Sequence, residues 1–110
     1  MVHRYPASLD RVFGALADPT RRALLQRLET EDALSVSALA KPLPISLPAV
    51  MKHLDVLEGA GLIARRKQGR TVTCRLTAAP MEDAMGWLAR YQRFWTESLD
   101  RLAAHVEAKP

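Results

Sequence analysis

At Gly61 the repeat of apolar residues along this chain changes its period. Before it, Val50, Leu54 and Leu57 recur at three and four residues, which marks a helix from Leu47 to Ala60 with one inward face. After it, Leu62 to Lys67 and Arg70 to Leu76 alternate, and they read as two short strands around Gln68-Gly69 as a hairpin turn. Gly61 supplies the left-handed residue that ends a helix. On the second strand Val72, Cys74 and Leu76 share one face while Thr71, Thr73 and Arg75 share the other, as a sheet with one buried side requires.

The elements on either side follow from capping and spacing. Met1 to Ala7 read as an arm, and Ser8 caps a first helix over residues 8–17 with Leu9, Val12, Phe13 and Leu16 on one stripe. Asp18-Pro19 is a helix start, since the carboxylate accepts from orphan N–H groups and proline fits the first turn; the second helix, residues 19–29, turns Leu24, Leu25 and Leu28 inward. The acidic stretch from Glu29 to Asp32 reads as a loop. Ser35 or Ser37 caps a short third helix with Val36, Leu39 and Ala40 inward, stopped by Pro42 and Pro44. With the helix opened by Ser46 this makes a helix-turn-helix over residues 36–60, and the hairpin, residues 62–76, is its wing. Thr77 is the expected cap of a last helix, residues 78–107, whose apolar positions run from Met81 to Val106. The expected fold is mainly α with a small β-hairpin, a winged helix-turn-helix of order α-α-α-α-β-β-α in a single domain spanning residues 1–110.

The last helix carries Met81, Met85, Leu88, Tyr91, Trp95, Leu99, Leu102 and Val106 along one stripe, with Trp87 and Phe94 on a second about 100° away. Two stripes imply two partners: the chain's own core, and the matching helix of a second copy together with the first helix. The expected dimer interface is Leu9, Phe13, Trp87, Leu88, Tyr91, Phe94, Trp95, Leu99 and Leu102. The alternative is that these aromatics all sit in one chain's core.

Charge points to the partner. The formal net charge is +4, and from Gly59 to Met81 the chain holds Arg65, Arg66, Lys67, Arg70 and Arg75 without one Asp or Glu. A basic hairpin suits tracking of phosphates or placing an arginine in a narrow minor groove, although charge also guards an exposed edge strand. On the helix after Ser46, the face opposite the core stripe holds Ser46, Leu47, Pro48, Met51, Lys52 and Asp55. Lys52 reaches a phosphate or guanine edge, Leu47 and Met51 suit thymine methyl groups, and Ser46 with the helix N-terminus suits a phosphate oxygen. His53, beside the apolar stripe, is a structural or phosphate-contacting residue. The expected partners are double-stranded DNA and a second copy of the chain, and the DNA-contacting set is Ser46, Leu47, Pro48, Met51, Lys52, His53, Arg65, Arg66, Lys67 and Arg70.

Other classes find little support. The single Cys74 makes no internal disulfide, no apolar run is long enough to span a bilayer, and a reducing cytoplasm is the expected compartment. No nucleophile, base and orienting group stand at motif spacing, and there is no glycine-rich phosphate loop, so no enzyme is expected and no cofactor. A winged helix used only for protein contact is a further class.

Three segments together resemble the ArsR/SmtB family of bacterial repressors across nearly the whole chain. They are Phe13-Gly-Ala-Leu-Ala-Asp-Pro-Thr-Arg-Arg22, the run from Ser46 to Ile63, and the wing from Arg65 to Thr77. The resemblance implies a dimer closed by the first and last helices, which binds an inverted repeat near a promoter and dissociates on a signal. Metal-sensing members carry cysteines where this chain has Ser35-Val-Ser37, or a carboxylate and histidine set on the last helix. Here that helix offers only Asp83, Glu97, His105 and Glu107 at unsuitable spacing, so the resemblance is to the branch without recognised metal ligands. A metal- or redox-responsive repressor using Cys74, or His3 and His105 across subunits, is the alternative.

Overall fold

The computed structural model describes residues 8–108, so the arm from Met1 to Ala7 and the expectation for His3 lie outside the described residues. Helix α1 (Ser8–Leu16) buries Leu9, Val12 and Ala15, and α2 (Pro19–Thr30) buries Leu24, Leu25 and Leu28. The Asp18 carboxylate accepts from Arg21 N–H at 3.0 Å, the N-cap expected from the Asp-Pro pair. Ser35, rather than Ser37, caps α3 (Val36–Ala40), its hydroxyl accepting from Ala38 N–H at 3.0 Å. Helix α4 (Leu47–Gly59) follows, and Gly61 ends it at φ +76°. A Cβ built on Gly61 would stand 3.1 Å from Pro80 Cγ, so both backbone and space favour glycine there.

The sheet has one strand more than the alternation suggests. Leu34–Ser35 form β1, which pairs antiparallel with β3 (Thr71–Leu76), and β3 pairs with β2 (Ile63–Gln68), giving the order β1-β3-β2. Two residues are too short to show a period of two, which hides β1 in the sequence. The register sets Gln68 opposite Thr71, so the turn is Gly69-Arg70, one residue later than expected. Gly69 has φ +63° and no other residue type among those described has a positive φ, which fits a hairpin turn with glycine at its first central position.

Leu24, Leu39, Leu54, Leu57, Leu62, Val12, Val50 and Cys74 are the largest fully buried side chains, so the core lies between the first four helices and the inner face of the sheet. The inward positions expected for all four helices and for β3 are those found in or against it.

The carboxyl-terminal region departs from expectation in two ways. First, the last helix is two: α5 (Met81–Ala89) and α6 (Gln92–Ala108), joined at Arg90-Tyr91 by a tightened turn in which Arg90 N–H donates to Trp87 C=O at 3.2 Å and Tyr91 N–H to Leu88 C=O at 3.0 Å. Three-residue turns advance each residue by more than 100°, so the apolar stripe of α6 is rotated from that of α5. Second, Thr77 is no cap: its hydroxyl donates to Gly61 C=O at 2.7 Å, and Pro80 stands at the start of α5 without a side-chain hydrogen bond. Residues of both stripes pack on the chain's own core. Trp87 packs on the chain's own core with Met81 and Ala84, its ring edge-on to Phe13 with centroids 5.6 Å apart, while Met85 is exposed. Leu9, expected in a dimer seam, is 8% exposed within the chain's own core and offers a partner little surface.

Candidate nucleic-acid interface

Helix α4 divides cleanly into two faces. Val50, Leu54 and Leu57 are wholly buried, which fixes the rotation of the helix about its axis. Ser46, Leu47, Pro48 and Lys52 are consequently exposed on the amino-terminal half, and Ser46 Oγ accepts from Ala49 N–H at 3.3 Å. Pro48 in the first turn removes a donor that has no partner inside a helix anyway. Leu47 is 54% exposed, an apolar contact surface beside a lysine. Met51 is placed differently: it is half-buried against the core, so Met51 and Lys52 do not present equal surfaces.

His53 points away from the exposed face. Its Nδ1 lies 3.2 Å from Arg21 Nη1 and 3.9 Å from the Asp18 carboxylate, at the corner between α1 and α2. The Asp18 carboxyl is held below its ordinary value, chiefly by the hydrogen bond from Arg21 N–H.

The wing's basic residues also divide. Arg65 is committed: its Nη2 donates to Asp55 at 2.6 Å and Glu58 at 2.7 Å, and its backbone N–H donates to Glu58 at 3.3 Å. These two carboxylates of α4 raise the Arg65 guanidinium further above its ordinary value, and Glu58 is lowered in return by the same bonds. Arg65 therefore fastens the base of the wing to α4, and its charge is already balanced. Arg66, Lys67 and Arg70 are exposed and free of ion pairs within 4.0 Å among the described residues.

One concave groove joins these parts. Ser35 and Ser37 at the start of α3, Met51 of α4, and Arg70, Thr71 and Val72 of the wing line it together. The amino-terminal half of the second helix of the helix-turn-helix and the basic tip of the wing thus open on one side. A second concavity lies on the outer face of the sheet, lined by Ala33, Ala64, Arg66, Gln68, Thr73 and Arg75. Reasoning from the sequence left Arg75, Thr71 and Ser37 out of the contact set. The signal for Arg75 was present, since alternation from buried Cys74 puts it on the outer face; Ser37 and Thr71 come to the groove only by folding.

A helix-turn-helix followed by a basic hairpin defines a winged helix-turn-helix DNA-binding protein. A helix-turn-helix domain family matches residues 16–66. The chain is 38% identical over 102 residues to the HTH-type transcriptional regulator Rv2034 of Mycobacterium tuberculosis, covering 93% of this chain and 92% of that one. It is 29% identical to the transcriptional repressor SdpR of Bacillus subtilis, over 76% of this chain and 91% of the other. Among solved structures, an ArsR family transcriptional regulator superposes with a TM-score of 0.77 at 45% identity, covering 86% of this chain and 97% of its own. An ArsR-like transcriptional regulator from Rhodococcus sp. RHA1 gives 0.71 at 35% identity, covering 94% of each. The chain belongs to the ArsR family of winged helix-turn-helix transcriptional regulators.

Proposed function

We propose that this regulator is a homodimeric, metal-independent repressor, whose two copies of α4 enter successive major grooves of an inverted-repeat operator about 34 Å apart while the wings follow the flanking backbone. The observation that carries the reading is the shared groove: Met51 of α4 and Arg70 of the wing tip line one concavity, so helix and wing can engage one duplex together. Repression follows from occlusion of the polymerase. The repressor of Bacillus subtilis among its relatives supports that direction of regulation.

Dimerisation is supported by α6. Phe94, Trp95, Leu99, Leu102 and Val106 are each more than half exposed, and Trp95, Leu99, Leu102 and Val106 follow the four-three-four spacing of a helix-to-helix seam. Among the described residues no three His, Cys, Asp or Glu side chains gather where a metal could bind, so a metal-responsive form would need ligands from a second copy or from outside those residues.

The test is an anisotropy titration against the DNA upstream of the chain's own gene, at two salt concentrations, with and without chelator. Tight, salt-sensitive binding indifferent to chelator is expected. Arg70→Ala is expected to weaken binding to all sequences and to lower the salt slope by about two for a dimer, one for each lost phosphate contact. An unchanged slope would refute the wing contact. Lys52→Ala is instead expected to shift sequence preference, at about 1–3 kcal/mol for the base pair it reads.

A further inference from the structure

The Asp-Pro-Thr-Arg-Arg segment has so far accounted only for a helix start, yet Arg21 is the most heavily bonded side chain at the corner of α1, α2 and α4. Its Nε donates to Ala15 C=O at 2.8 Å and its Nη2 to Gly14 C=O at 3.0 Å, two carbonyls of the last turn of α1, of which Gly14 C=O also accepts from Ala17 N–H at 3.3 Å. Its Nη1 is left facing His53 Nδ1 at 3.2 Å. A guanidinium only donates, so Nδ1 must carry its lone pair and the ring proton must sit on Nε2. No carboxylate lies within 4.0 Å of the Arg21 guanidinium among the described residues, so carbonyl dipoles and the imidazole hold it.

We propose that Arg21 is the positioning residue of the DNA-reading helix: through His53 Nδ1 it seats α4 on the carboxyl end of α1, and the seat holds only while His53 is neutral. This rests on the reading of α4 as the base-contacting helix. His53 directly follows Lys52, so a shift of the ring moves the exposed face with it. Protonation gives Nδ1 a hydrogen, which turns the Arg21 contact into a meeting of two cations and leaves the Asp18 carboxylate, at 3.9 Å, as the remaining partner. Of the other charged side chains on the elements packed against α4, Asp10 and Arg11 of α1 are exposed, Arg22 of α2 is exposed and donates to Leu16 C=O, Arg27 of α2 donates to Ala38 and Leu39 C=O, α3 has none, and Arg65 of β2 is taken up by Asp55 and Glu58.

The experiment compares affinity for a duplex selected by the wild-type protein from a random pool with affinity for a scrambled duplex, between about pH 8 and about pH 5. For wild type the ratio is expected to fall about tenfold as pH drops, the loss of one strong hydrogen bond. His53→Asn, which keeps an acceptor near the Nδ1 position and does not titrate, is expected to hold the ratio and flatten the profile; His53→Leu is expected to lose it at every pH. A flat wild-type profile, or His53→Asn behaving as His53→Leu, overturns the proposal. Imidazole nitrogen shifts at about pH 8 give a readout without DNA. An Nε2–H tautomer whose Nδ1 shift moves in Arg21→Lys supports the seat, and an Nδ1–H tautomer overturns it even if no duplex is selected, a failure that would count against the DNA-binding reading instead.

Discussion

Arg65 and Arg70 stand five residues apart on one hairpin, and their surroundings give them different work. Arg65 faces two carboxylates of α4, while Arg70 stands at the turn with none within 4.0 Å among the described residues. The Glu58 carboxyl, lowered by Arg65, links this pairing to pH. A carboxylate whose folded value lies below its unfolded one adds stability above the unfolded value, and that stability is lost as pH falls through the folded value. Urea midpoints of the wild type are therefore expected to fall as pH is lowered through the carboxylate range, and those of Glu58→Gln to fall less. The Glu58 side chain is 42% exposed, so the difference is expected to stay below about 1 kcal/mol. A steeper acid transition in Glu58→Gln would contradict this account.

Among the elements, α4 and the hairpin were legible because each buries one face and repeats its apolar residues at its own period. Leu54 and Leu57 on α4, and Val72 and Cys74 on β3, lie where that period puts them. The junctions were less legible. The tightened turn at Arg90-Tyr91 contains neither glycine nor proline, and it sits where Trp87 meets Phe13 and Tyr91 meets Trp87, with centroids 5.1 Å apart in the second pair. The Phe13–Trp87 contact joins residues far apart in sequence, and no local signal announces the break. The junction at Gly61 is a sharper case. At φ +76°, with Pro80 Cγ 3.1 Å from a built Cβ, Gly61→Ala is expected to lose about 1–2 kcal/mol by thermal unfolding. A variant as stable as wild type would show that the corner relaxes freely.

At the scale of the whole molecule, α6 governs the shape. The Cα radius of gyration is 18.7 Å, against about 13 Å for a compact chain of this length, and the principal extents are 64 × 44 × 22 Å. Every α6 residue from Gln92 to Glu107 is exposed, so among the described residues of one chain its apolar stripe covers nothing. On the proposed dimer, Leu99→Glu is expected to move the sedimentation velocity peak from dimer to monomer without lowering the helix content of the other elements, and a wild-type protein that sediments as a monomer would refute the dimer itself. It is expected to weaken operator binding more than tenfold, since one copy then reaches only one half-site. A variant that stays dimeric would place the interface elsewhere.

The sequence by itself determined which residues face inward on α1 to α4 and β3, where the helix caps at Asp18 and Ser46 fall, and that the wing is basic. Each depends on neighbours within a turn or a strand pair, and such patterns are written locally. Only the tertiary structure decided that Arg65 is neutralised by α4, that His53 turns to Arg21, that Leu34–Ser35 join the sheet, and that Trp87 belongs to the chain's own core. A long side chain takes whichever partner the packed fold brings within about 3 Å, and that choice is made by atoms distant in sequence.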